Sequence, residues 1–220
     1  MKKILSTFAA AMLIVAHVFS QNPMTKMDSV SYSLGVLFAQ NFKNGETPNI
    51  DATTMAKGFD DAIKGKETIP MQQANQIFSE FMAGAQKQKH AGTIEKCRDF
   101  LAENAKRAGV TTTASGLQYE IMTKGAGATP KATDKVNVHY HGTLLNGKVF
   151  DSSVQRGTPI DLPVNGVIQG WQEALQLMPV GSKWKLFIPY NLAYGERGTG
   201  ADIGPYEALI FEVELIKINQ

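Results

Sequence analysis

The 220-residue sequence has one cysteine, two tryptophans and four histidines, and its 22 basic residues are nearly matched by 20 acidic ones. With Cys97 alone no internal disulfide can form, so the fold rests on its hydrophobic core. Cys97 reads either as a buried helical residue or as half of an intermolecular bridge. The chain lacks the basic excess of a nucleic-acid binder, so no nucleic-acid partner is expected. There is no Walker loop, no Gly-x-Ser-x-Gly elbow and no His-Glu-x-x-His, which removes the common phosphate-binding, serine-hydrolase and zinc-protease routes. Gly125-x-Gly127 and Gly198-x-Gly200 are too short for dinucleotide fingerprints and read as turns. His139 and His141 share a strand face, but two ligands without a third make a poor metal site, and solvent-facing strand residues are the expectation.

A long membrane-spanning run is also missing. The largely apolar stretch from Ile4 to Phe19 is shorter than the ~20 residues a spanning helix needs. It follows Lys2 and Lys3 and gives way to polar Gln21-Asn22-Pro23 after Ser20, so residues 1–20 read as a cleaved export signal rather than a retained anchor. No cysteine near the cut offers a lipid attachment point. Removal takes away Lys2 and Lys3 and no acid, which brings the 22 basic residues level with the 20 acidic ones. The expected mature chain is near neutral, exported to the periplasm or the outer surface of a bacterium, and without stable membrane insertion.

What is present falls into two periodicities. From Asp28 to about Gly109 apolar residues recur at helical spacing. Leu34, Leu37, Phe38 and Phe42 share one face before the turn-like Asn44-Gly45; Met55, Phe59, Ala62 and Ile63 share another after an Asp51 cap, and Gly65 ends that helix. Residues 21–69 therefore read as an all-α N-terminal region. Residues 70–108 read as one long connecting helix, about 58 Å at about 1.5 Å per residue if continuous, with Gly84 and Gly92 as the weak points for a kink. Its seam of Met71, Ala74, Phe78, Phe81 and Ala85 is narrow, and Gln86 to His90 is polar all round, as expected of a segment that bridges bodies through solvent. The short helices cannot enclose a core alone, so burial against a second copy is expected, giving a homodimer through the N-terminal helices.

Over 109–220 the period becomes two. Val136, Val138 and Tyr140 alternate with polar neighbours, as do Leu209, Phe211, Val213 and Leu215 with Ile210, Glu212 and Glu214. Only Val167 to Met178 reads as helix, with Trp171, Ala174, Leu175 and Met178 on one face and Pro179 as its stop. The fold class is α+β: an all-α N-terminal dimerisation domain, a long connecting helix, and a bent antiparallel sheet wrapped around one short helix. Aromatic and β-branched residues concentrate around Asp151, which beside Phe150 must be paired, with Arg156 as the nearby cation.

"VNVHYHGTLLNGKVFDSS", "VIQGWQEALQLMPVGSKWKLFIP", "LAYGERG" and "IGPYEALIFEVEL" resemble, in order and spacing, the FKBP-type peptidyl-prolyl cis-trans isomerases over about Gly116 to Asn219. "SYSLGVLFAQNFK" and "MAKGFDDAIKG" look like the dimerising N-terminal domain of the macrophage infectivity potentiator branch. The resemblance implies that Trp171 floors an apolar cleft for a proline ring, walled by Tyr140, Phe150, Val167, Ile168, Tyr194, Ile203 and Phe211. It further implies that Asp151, held by Tyr140 and Arg156, faces the twisting amide while the Ile168 N–H binds a substrate carbonyl. Ile160 stands where an aromatic wall is usual in that family, and Asp202 where an apolar residue or proline is common. The implied partners are proline-containing unfolded or partly folded polypeptides and macrolide inhibitors. No metal or organic cofactor is required, and the activity would assist folding of exported proteins. A dimeric holdase that merely recognises proline is the competing expectation.

Overall fold

The computed structural model describes residues 25–43, 50–200 and 202–219. The export signal and the Asn44-Gly45 turn lie outside these residues. The chain divides into two compact units, residues 1–67 and 68–220.

The first unit contributes α1 (Lys26–Lys43) and α2 (Ala52–Ile63). Thr25 and Asp28 exchange hydrogen bonds at the start of α1, and the Asp51 carboxylate accepts the Thr54 N–H at 2.6 Å to cap α2. Neither helix buries its apolar face within its own unit: Leu34 is 62% and Phe59 70% exposed.

The second unit opens with α3 (Met71–Lys89) and α4 (Ala91–Asn104). The span expected as one helix changes conformation at His90 (φ −101°, ψ 14°), not at Gly84 or Gly92, and α4 stops at Asn104, short of Ala108. The reason lies outside the helix. Asn104 is buried and donates to the Gln118 side chain at 2.8 Å, whose amide in turn donates to the Leu101 carbonyl at 2.8 Å. Arg107 closes the turn that follows, reaching Asn104 at 2.7 Å and Glu120 at 3.0 Å. Phe100 meets Phe187, and Cys97 is buried with its Sγ accepting the Ala208 N–H at 3.3 Å. The second helix is thus docked on the chain that follows it through Cys97, Phe100, Leu101 and Asn104.

Seven antiparallel strands follow: β1 (Val110–Thr112), β2 (Gln118–Thr123), β3 (Lys135–Leu144), β4 (Val149–Ser152), β5 (Ile160–Pro163), β6 (Lys183–Ile188) and β7 (Leu209–Asn219). They order as β1-β2-β6-β7-β3-β4, and β5 pairs with the first half of β3. The two runs of period two are the central strands β3 and β7, paired from Lys135↔Asn219 to Leu144↔Leu209. Val136, Val138 and Tyr140 and, opposite, Leu209, Phe211, Val213 and Leu215 point to the buried face.

Two helices lie in the sheet region. The expected helix over Val167–Met178 is shorter, α6 (Gln169–Leu175), because Val167 and Ile168 keep extended backbone (ψ 174° and 151°). It buries Trp171, Ala174 and Leu175 on the sheet. Gly170 permits that approach, since a Cβ there would stand 2.5 Å from Ile188 Cγ2. The other, α5 (Ser153–Arg156), is a single turn that periodicity did not indicate. Ser152 caps it by accepting the Gln155 N–H at 3.1 Å, and Gly157 ends it at φ +72°. A 3-10 turn over Val164–Gly166 leads into α6.

Candidate active site

The α5 turn brings Arg156 back over the end of β4. There the guanidinium pairs with the Asp151 carboxylate through Nη1 and donates to the Tyr140 hydroxyl through Nη2 at 2.9 Å. Tyr140 donates its own hydroxyl proton to the other Asp151 oxygen, and the guanidinium carbon lies 5.7 Å from the Tyr140 ring centroid. Each member holds the other two. Burial pushes the Asp151 carboxyl up, but the hydrogen bonds from Tyr140 and Arg156 outweigh it and hold the group below its ordinary range. Burial raises the Tyr140 phenol, and its bond to Asp151 raises it further, so the phenol is a neutral donor beside an anion.

The backbone of Tyr140 is fixed by an unexpected residue. Ser153, fully buried, accepts the Tyr140 N–H at 2.8 Å and lies 3.3 Å from its carbonyl, taking the place of a strand neighbour where α5 interrupts the ladder. His139 and His141 lie on the face of β3 turned away from the core, as expected, and each has Nδ1 3.0 Å from a serine hydroxyl, of Ser153 and Ser152 respectively. The triplet Asp151-Ser152-Ser153, an acid followed by two cap-forming residues, and Gly157 after Arg156 were the local signs of this turn.

Beside the polar cluster stands an aromatic one. Trp171 meets Tyr140 and Phe211 edge to face, with centroids 5.5 and 5.2 Å apart, and Phe150 meets Phe211 in the same way at 5.3 Å. Gly142 leaves the room for this: a Cβ there would lie 2.7 Å from the Phe150 ring and 2.8 Å from that of Phe211. Trp171 is only 4% exposed, and its indole N–H has no hydrogen-bond partner among the described residues. Ile203 is buried, Val167, Ile168 and Phe150 are half-buried, and Tyr194 stands 40% exposed. The Tyr194 phenol is raised by burial and then by the Asp151 charge. Ile168 is the N-cap of α6, so its N–H lies outside the helical ladder. Ile160 sits on β5 opposite Val138, and Asp202 is exposed and ion-paired with Lys148 at 3.2 Å.

Residues 127–216 match the family model of the FKBP-type peptidyl-prolyl cis-trans isomerase, and residues 27–121 match the domain amino terminal to it. The FKBP-type 22 kDa peptidyl-prolyl cis-trans isomerase of Escherichia coli is 45% identical over 86% of this chain and 93% of its own. This chain belongs to the FKBP-type peptidyl-prolyl cis-trans isomerases. The peptidyl-prolyl cis-trans isomerase Mip of Coxiella burnetii is 40% identical over the whole of both chains. The crystal structure of FkpA from Escherichia coli superposes with a TM-score of 0.59 at 33% identity, covering 89% of this chain and 97% of that one. The isomerase is an α+β protein with helical N-terminal and FKBP-type C-terminal parts, and such enzymes act on proline-containing peptides. Among the described residues no helix is long and apolar enough to cross a membrane.

Proposed function

We propose that the isomerase binds an X-Pro segment with the proline ring against Trp171 and that the Tyr140–Asp151–Arg156 cluster faces the rotating amide. The observation that carries this reading is the juxtaposition of an anion held by two donors with a buried aromatic floor and a half-exposed rim. Rotation about X-Pro breaks amide resonance, a barrier of ~18–20 kcal/mol, and makes no covalent bond, so a site without a nucleophile is sufficient. The twisted amide is less polar than the planar one, and an apolar surface that withholds water favours it. Each ~1.4 kcal/mol of such preference gives about tenfold in rate. Phe150, Val167, Ile203, Tyr194 and Phe211 form the walls, Ile160 widens one of them, and the Ile168 N–H receives a substrate carbonyl. Proline-mimicking macrolides bind the same surface.

The mature chain is exported, pairs through its N-terminal helices, and assists folding of exported polypeptides. The apolar faces of α1, α2 and α3 support the pairing, since none of Leu34, Phe59 or Phe78 is buried in the single chain. The deciding experiment is a prolyl-peptide assay on the mature protein alongside suppression of client aggregation. Turnover that falls about tenfold or more in Asp151→Leu while aggregation is still suppressed supports a catalytic cleft; aggregation suppression without any turnover in wild type refutes it.

A further inference from the structure

The loop from Tyr190 to Ala208 carries Tyr194 and Ile203, and it is held from outside the sheet. Tyr206 is the one non-glycine residue with positive φ among those described (φ 61°), and its side chain is fully buried. A bulky residue persists in that region only where its surroundings over-determine it. Here they do. The Tyr206 ring packs edge-on to Tyr190 with centroids 5.2 Å apart and lies 5.8 Å from the ring of His90, the residue between α3 and α4. Its backbone N–H donates to the Gly195 carbonyl at 3.0 Å, and the Gly195 N–H donates to the Tyr190 carbonyl at 2.8 Å. Tyr194 immediately precedes the residue held by both bonds. Lys87 of α3 also approaches Glu196 to 4.0 Å, and Cys97 of α4 accepts the Ala208 N–H at the loop's far end.

We propose that Tyr206, wedged between His90 and Tyr190, is a positioning residue that fixes Tyr194 as a wall of the substrate cleft, so that the helix junction at His90 takes part in substrate binding. This rests on the placement of Tyr194 in the cleft. Tyr206 touches neither Asp151 nor Tyr140, so its effect falls on binding and not on the rotation step. The ring contacts and the backbone N–H carry the positioning.

The mature chain tests this in a prolyl tetrapeptide assay with near-UV circular dichroism as the check on folding. Tyr206→Ala is expected to raise KM about fivefold with kcat within about twofold, Tyr206→Phe to restore both, and Tyr206→Ala to add nothing in a Tyr194→Ala background. An unchanged KM, an equal rise in both backgrounds, or a loss of kcat at constant KM, as a smaller folded fraction would give, overturns the proposal. Should Tyr206→Ala not fold, His90→Ala removes the flanking ring alone; a KM rise of about twofold supports the proposal and none overturns it. Tyr194→Ala with unaltered KM is a separate failure, of the cleft placement itself.

Discussion

Asp151 is where a single residue decides most. Its carboxylate is stabilised by Tyr140 and Arg156, so removing it leaves a cation and a phenol without their common partner. Asp151→Leu is expected to lower kcat/KM by about tenfold or more, and Tyr140→Phe by about threefold, with unchanged far-UV circular dichroism in both. Normal turnover in both variants would refute the site. The pH dependence follows from the same cluster. Because the folded Asp151 carboxyl titrates below its ordinary value of about 3.9, its contribution to stability is complete above that value and is lost as pH falls through the folded one. The Tyr140 phenol is shifted upward, so its neutral state persists beyond the ordinary value of about 10, and stability is lost only as pH rises through the folded value. Turnover measured on the same peptide from about pH 5 to 9 is therefore expected to be flat with respect to this pair; a step near neutrality would mean that another group controls the site.

The fit between elements is tightest where glycine separates them. Gly170→Ala would drive a methyl into Ile188 between α6 and β6, and a stability loss of ~1–3 kcal/mol is expected, read as a lower urea midpoint at constant slope. Gly142→Ala would instead push on Phe150 and Phe211, so its signature is weaker ligand binding at modest cost to stability, seen by titrating a macrolide against Trp fluorescence. Docking of α4 makes a further prediction. A fragment beginning at His90 keeps the Asn104–Gln118 pair and the Phe100–Phe187 contact, whereas one beginning at Gly109 loses both and exposes apolar surface around Phe187 to water. The longer fragment is expected to be the more stable and both to isomerise short peptides; equal urea midpoints would show that α4 adds nothing to the catalytic unit.

At the scale of the whole molecule, the proposed pairing rests on bare apolar faces. Met71 is 77% exposed and α2 and α3 bury no residue at all in the single chain, an arrangement that water tolerates poorly and a two-fold pairing removes. Sedimentation should give a dimer for the mature chain at micromolar concentration and a monomer for the fragment beginning at His90. That fragment should isomerise tetrapeptides normally yet lose efficiency on unfolded proteins, which a dimer engages at two places. A monomeric mature chain would overturn this assembly.

The sequence by itself determined the α+β class, the central strands β3 and β7 and the aromatic set around Asp151, because each depends on a local signal: period two, period 3.6, or a charge beside an aromatic residue. Partner and place were decided only in three dimensions. Periodicity allowed one helix over 70–108, but its end at Asn104 and the contacts at its His90 break involve Gln118, Phe187 and Tyr206, which lie far along the chain. The α5 turn is too short to have a period, and Ser153 gains its role only because β4 leaves β3 at that point and the Tyr140 N–H needs an acceptor. Pro205 signals a turn before Tyr206, but a left-handed backbone there favours glycine or asparagine rather than tyrosine. Tyr206 is held there by the rings of His90 and Tyr190, and such contacts exist only once the chain has closed on itself.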